Sequence, residues 1–280
     1  AMSGGVDSSV CAALCREANV ALHPQLATMA QEYERILGGM TVHFDGRERT
    51  MSQMGAYFES PDRATRERAW RATTARRLAD KDKLESLFDR MLPLRQQIAA
   101  NAGLPTYLEY AFRSKRRFDY TPADCVRFHD AVETHLMPLL RERDERRRRR
   151  LGFEVVRPWD AAVDPDGDQP LRPFTDGPDL EARTARVFQR LDPRLAGLFD
   201  KLRDGASLDL DSRPGKAPGG YQYMRDRSRR PFIFMNAAGL HRDVRTMVHE
   251  AGHAFHSLLT NDEPLLQYRH SVYEFAEVAS

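Results

Sequence analysis

Three side chains near the C-terminal end are spaced for metal chemistry: His249, Glu250 and His253, within Thr246-Met247-Val248-His249-Glu250-Ala251-Gly252-His253-Ala254-Phe255-His256. On a helix, positions i and i+4 stand one above the other, so both imidazoles can reach a single ion. Glu250 is turned by about 100° around the axis and flanks that ion as a candidate general base acting on a water. Val244, Met247, Val248, Ala251, Phe255 and Leu258 would make the apolar stripe of a buried helix. The chemistry that suits this pattern is metal-assisted hydrolysis, with zinc as the expected ion.

Two histidines do not complete such a site, because catalytic zinc takes three protein ligands. The third is expected in Ser271-Val272-Tyr273-Glu274-Phe275-Ala276-Glu277-Val278-Ala279-Ser280, on a second helix packing back on the first. Spacing alone leaves both Glu274 and Glu277 open, the other being a partner that orients a histidine. Glu263, in the loop Asp262-Glu263-Pro264, is a weaker candidate, and His241 and His256 read as surface or packing residues. Asp243 is expected to cap the start of the metal helix.

Upstream, Ser207 to Ser212 alternates as a short strand. The glycine-rich run Gly215-Lys216-Ala217-Pro218-Gly219-Gly220-Tyr221 follows it. Gly220 to Met224 and Pro231 to Asn236 then fit a hairpin closed by the polar turn Arg225 to Arg229. A strand beside a metal helix can bind an extended peptide by adding it to its edge, and glycines let a backbone approach closely. A plain structural hairpin accounts for the same residues.

The middle of the chain reads as helix. Pro24 to Leu37 has a helical apolar period ended by Gly38-Gly39, and Thr41 to Thr50 reads as a two-stranded excursion turning at Asp45-Gly46. Met51 to Phe58 is a short helix. Ser60-Pro61 is expected to cap a long helix to Lys81, with others over Asp82 to Asn101, from Tyr107, and from Thr121-Pro122 to about Arg150. The basic run Arg146 to Arg150 closes a helix among acidic neighbours and reads as a solvated helix end, not a nucleic-acid surface. Trp159 to Pro178 is a surface loop, and Leu180 to Leu202 returns to helix with a break near Asp192-Pro193.

Composition fits a soluble, helix-rich chain: 41% hydrophobic and 30% charged residues, with 43 basic and 41 acidic side chains leaving a net charge of +2. That balance points away from nucleic acid. No apolar run is long enough to span a bilayer and no secretory h-region occurs, which argues against membrane insertion and secretion. Cys11, Cys15 and Cys125 lack paired spacing and read as reduced thiols in a cytoplasm. Oligomeric state is not legible here.

At the N-terminus, Ser3-Gly4-Gly5-Val6-Asp7-Ser8 resembles the phosphate loop of the PP-loop ATP pyrophosphatases, and with Cys11 to Glu17 behind it that of tRNA 2-thiouridylases. Such a loop cradles pyrophosphate on glycine amides and a helix N-terminus. No buried strand precedes it and no alternating strand and helix pattern follows, so the expectation is a foreign segment over residues 1–18. An ATP-dependent tRNA-modifying enzyme is the alternative reading.

From about Pro24 to Ser280 the chain resembles the oligoendopeptidase F and thimet oligopeptidase family of zinc peptidases. The likeness is carried by His249-Glu250-Ala251-Gly252-His253-Ala254-Phe255-His256, Phe275-Ala276-Glu277-Val278-Ala279-Ser280 and the run Gly215 to Tyr221. The resemblance implies a mainly α fold with a small β-hairpin region beside the H-E-x-x-H helix, and one zinc ion per chain. It implies His249, His253 and Glu277 as ligands, Glu250 as the general base, and Gly219, Gly220 and Tyr221 against short peptide substrates. The expected organisation is a segment 1–18, a helical region 19–202 and a zinc-site region 203–280. Members of that family extend well past the third ligand, into a part with histidines and tyrosines that stabilise the oxyanion, and have an N-terminal portion replaced here. A truncated catalytic domain is therefore implied, with an inactive metal-binding fragment as a third reading.

Overall fold

The computed structural model describes residues 17–278 and residue 280. The phosphate-loop-like Ser3 to Ser8, with Cys11 and Cys15, lies outside them. Helices dominate: α1 (Glu17–Val20), α2 (Leu22–Gly38), α3 (Gly55–Phe58), α4 (Arg63–Leu78), α5 (Lys81–Asn101), α6 (Tyr107–Ser114), α7 (Pro122–Ala131), α8 (Met137–Leu151), α9 (Gly177–Leu191), α10 (Pro193–Asp204), α11 (His241–Leu259) and α12 (Tyr273–Val278). The strands are β1 (Thr41–Phe44), β2 (Arg47–Thr50), β3 (Leu208–Asp211), β4 (Tyr221–Arg225) and β5 (Arg230–Ala237). The mainly α fold with a small hairpin region is the class expected.

The described residues divide into two compact units, one ending at residue 36 and resuming over 79–155, the other formed by 37–78 and 156–280. In the first, Ile98, Ala99, Ala102, Leu104 and Tyr110 form a core against Leu22 and Leu26 of α2. The buried Asn19 amide donates to Ile98 O at 3.2 Å, and its carbonyl accepts from Asn101, so the polar group is satisfied on both sides. α7 starts with the expected cap: Thr121 and Asp124 exchange side-chain and backbone hydrogen bonds around Pro122.

The expected single helix from Thr121 to Arg150 is interrupted by a π-type turn over Val132–Leu136. Pro138 follows it directly; it lacks the N–H that would bond Thr134 O, and its ring crowds that carbonyl, so the ladder resets. At the end of α8, Arg148 and Arg149 both pair with Glu145, and Arg148 also donates to Phe153 O. Those two hydrogen bonds hold the Glu145 carboxyl down at about 2. Gly152 ends the helix in the left-handed region, φ 68°.

In the second unit β1 and β2 form the expected hairpin, pairing Thr41 with Thr50 and Phe44 with Arg47. α4 begins two residues later than the Ser60-Pro61 signal suggests. The Asp62 carboxylate accepts from Ala64 N and Thr65 N at 3.2 and 3.0 Å, so Asp62 supplies the cap, and Ser60 Oγ accepts from Asp62 N. The Trp159 to Pro178 segment is not wholly a surface loop. Asp160 and Phe174 are buried, and Asp160 takes hydrogen bonds from Arg63, Arg66 and Arg157 N.

β5 is the centre of a three-stranded sheet of order β3-β5-β4. β4 runs antiparallel to it, from Tyr221 opposite Phe234 to Arg225 opposite Arg230. β3 runs parallel on the other side, Leu208 opposite Ile233, with a register irregularity between Asp209 and Asp211. Along β5 buried and half-buried positions alternate, the strand period of two. Ile233, Met235 and Ala237 thus meet Met247, Ala251, Ala254 and Phe255 of α11 in one core with Phe188, Phe199 and Leu202. Each large apolar side chain buried there contributes about 1.5–3 kcal/mol. This core presses α11 onto the sheet and fixes which helix face is left for chemistry.

Candidate metal centre

α11 carries His249, Glu250 and His253 as the spacing predicts, in the middle of the helix. Its N-terminus corrects one expectation. The helix begins at His241, and Asp243, instead of preceding the first turn, sits within it and accepts from Leu240 N and Ala238 N at 2.9 and 2.8 Å. The carboxylate reaches back over Gly239, which turns the chain at φ +82°, and an extended Leu240, so it performs a cap's work from the third position. A second correction concerns the stripe: Val248 is 39% exposed, while Met247, Ala251, Ala254 and Phe255 are buried.

The core-facing stripe leaves His249 and His253 on an adjoining face. Their Nε2 atoms stand 3.2 Å apart and the rings are nearly perpendicular, at 78°. Glu277 of α12 points into the same place, with Oε2 3.5 Å from His249 Nε2 and Oε1 3.9 Å from His253 Nε2. The ligand atoms of His249, His253 and Glu277 all lie within 4.8 Å of one another. Among the described residues no second group of three metal-ligating side chains converges in this way. Glu274, one turn earlier on α12, is outside the group, as are His241 and His256.

Two neutral imidazole nitrogens and a carboxylate oxygen are the donors zinc favours. Ligands at about 2.0–2.1 Å in tetrahedral array lie about 3.3 Å from one another. The separations of 3.2, 3.5 and 3.9 Å need only small side-chain rotations to reach that spacing. The donor set fits the metal that the motif implies.

Glu250 lies beside this group and is 6% exposed. Burial raises its carboxyl above the usual carboxylate range, opposed by the neighbouring His249 and by a hydrogen bond from Gln222 N of β4. Burial also lowers His253, with His249 acting in the same sense, which favours the neutral imidazole that a metal requires.

β4 is an edge strand, since β5 occupies only one of its sides. The glycine-rich run leads into it. Gly219 adopts φ +93°, a region closed to most side chains, and a Cβ on Gly220 would stand 3.0 Å from Thr246 Cγ2 of α11. Tyr221 stacks on Phe234, ring centres 4.8 Å apart, and remains 47% exposed. The three predicted peptide-contacting residues therefore stand at the start of the strand whose Gln222 N–H meets Glu250.

Residues that fix this run were not foreseen. Lys216 is buried, and its Nζ donates to Asp209 O, Asp209 Oδ1 and Asp211 O at 3.0, 3.0 and 2.8 Å. Burial lowers its pKa, with the Asp209 hydrogen bond opposing. From the other side Asn236 Nδ2 donates to Ala217 O and Gly219 O at 2.8 and 2.9 Å. A lysine inside a Gly/Pro-rich run reads as solvated; only the tertiary fold reveals it as the bolt between that run and β3. Ser280 Oγ stands 3.0 Å from His249 Nδ1, a contact that no local spacing encodes.

The sequence profile of peptidase family M3 matches residues 56–280, and the chain belongs to that family. Among solved structures it is similar to one assigned as oligoendopeptidase F, with 28% identity and a TM-score of 0.92 over 98% of this chain and 48% of that one. PZ peptidase A, solved with an inhibitor, is similar at 27% identity and TM-score 0.91, over 97% of this chain and 49% of that one. A structure from Bacillus anthracis strain Ames, assigned as oligoendopeptidase F, shares the fold at 24% identity and TM-score 0.91, over 97% and 50% of the two chains. The chain thus spans about half the length of the structures it matches. No curated protein matches significantly. The tRNA-modifying alternative finds no support in these matches. Among the described residues no helix is long and apolar enough to cross a membrane.

Proposed function

We propose that this chain provides the metal centre of a zinc-dependent endopeptidase that hydrolyses short oligopeptides. The observation that carries the reading is the meeting of His249, His253 and Glu277 around one point, beside a buried Glu250 and an edge strand. The family supports a peptide as substrate. His249, His253 and Glu277 would hold one zinc ion. Zinc in such a set supplies Lewis acidity, polarising a carbonyl and bringing a water's acidity near neutral pH.

The chain's own residues supply the rest. Glu250 accepts the water's proton on its carboxylate and passes it to the leaving amine. Its burial raises its proton affinity, which suits a group that must hold a proton between the two transfers. An extended peptide lies along the outer edge of β4, with Gly219 and Gly220 admitting its backbone and Tyr221 offering an exposed ring. Pairing along β4 brings the peptide backbone past Gln222 to Glu250. A cytoplasmic setting, with no nucleic-acid or membrane partner, belongs to the same proposal and rests on composition.

Glu250→Gln tests the base. The variant is expected to keep its zinc and to lose hydrolysis of a quenched fluorescent peptide by at least about 100-fold. Hydrolysis at the wild-type rate would remove Glu250 from this role.

A further inference from the structure

We propose that Ser280 is a positioning residue of the metal centre, holding His249 in the tautomer that leaves Nε2 free to bind metal. The Ser280 hydroxyl makes two contacts, to His249 Nδ1 at 3.0 Å and to Glu277 O at 3.0 Å. It has one proton, and a backbone carbonyl can only accept. The proton therefore goes to Glu277 O, and Oγ is left as the acceptor facing His249. The imidazole must then be the donor, carrying its proton on Nδ1. In the neutral ring this leaves the lone pair on Nε2, the atom that stands 3.2 Å from His253 Nε2 and 3.5 Å from Glu277 Oε2.

The same hydroxyl ties two ligands together. Ser280 lies three residues after Glu277, so the segment that delivers the carboxylate also delivers the group that orients the first histidine. Gly252 makes the contact sterically possible. A Cβ there would lie 2.6 Å from Ser280 Cα and 2.9 Å from its carbonyl carbon, both backbone atoms that cannot turn aside. The glycine between Glu250 and His253 is thus a seat for Ser280, and the two motifs fit as one unit.

The role depends on His249 being a metal ligand, so the test separates the two ideas. Zinc affinity is measured by chelator competition for the wild type, Ser280→Ala and Ser280→Thr, with circular dichroism to verify folding. Loss of a partner that orients a histidine ligand costs about 10–100-fold in metal affinity, and that loss is expected for Ser280→Ala. Ser280→Thr, which keeps the hydroxyl, is expected to recover most of it. Equal affinity in wild type and Ser280→Ala would overturn the positioning role while leaving the metal centre intact. A wild type that takes up no zinc would overturn both. Should Ser280→Ala not fold, the imidazole 15N spectrum of zinc-stripped wild type decides: His249 as the Nδ1–H tautomer is expected, and Nε2–H overturns the proposal.

Discussion

Replacing Lys216 by methionine removes one buried ammonium and keeps the length and apolar body of the side chain. The lysine side chain is 1% exposed, and its Nζ stands 4.4 Å from the centre of the Phe234 ring. Asp209 keeps both of its contacts from Arg213, at 2.7 and 2.8 Å, so its carboxylate is not orphaned. The carbonyls of Asp209 and Asp211 lose a charged donor, and a buried acceptor without a partner costs about 1–3 kcal/mol. Against this, taking an ammonium out of water costs several kcal/mol that methionine does not incur. Two such carbonyls together cost about 2–6 kcal/mol, the relieved desolvation offsets part of this, and a net destabilisation of about 1–3 kcal/mol is expected. Urea unfolding followed by circular dichroism reads it as a lower midpoint with an unchanged slope. The run from Gly215 to Tyr221 also loosens from β3, so KM for a peptide is expected to rise while zinc content stays constant. A midpoint shift worth less than about 0.5 kcal/mol, the scale of an ordinary surface change, would refute the bolt.

Asp160→Asn weakens a buried pair with Arg66, whose side chain is 1% exposed, and is expected to cost about 3–5 kcal/mol by thermal or urea unfolding. Acid should act through the same group and through Asp209. At Asp160, burial raises the pKa, but hydrogen bonds from Arg63, Arg157 N and Arg66 outweigh it and hold the value at about 2. At Asp209 the Arg213 hydrogen bonds lead, against burial, and also give about 2. Folded values below the unfolded 3.8 mean stability that is full above about pH 5 and is lost as the pH falls towards 2, up to about 2 kcal/mol for each group. Unfolding midpoints measured from pH 6 to pH 3 should fall, and less steeply in Asp160→Asn. Gly252→Ala is expected to displace Ser280 and to lower zinc affinity as Ser280→Ala does; unchanged affinity would show that the segment yields without disturbing His249.

Local rules were enough to see much of the fold and the first part of the site. The i, i+4 spacing of His249 and His253 needs only a helix, and the β4–β5 hairpin needs only strand patterning around a polar turn. The failures have physical causes. Asp243 caps from inside the first turn because Gly239, at φ +82°, turns the chain so that the Ala238 and Leu240 amides both meet its carboxylate. Pro138 resets α7 and α8 through a π-type turn that a helical period does not register. Asp160 is buried within a Pro- and Gly-rich segment because two arginines from α4 meet it there. Glu274 and Glu277 lie one turn apart, and only the packing of α12 against α11 brings Glu277 to the histidines. Ser280, Lys216 and Asn236 act through contacts across the fold, which no local pattern encodes.

The most direct measurement is zinc per chain, by elemental analysis of purified wild type, His253→Ala and Glu277→Gln. About one equivalent is expected in the wild type and well under half of that in each variant, with folding retained. A wild type without zinc, or a Glu277→Gln protein that holds a full equivalent with wild-type affinity, would contradict a centre built from His249, His253 and Glu277.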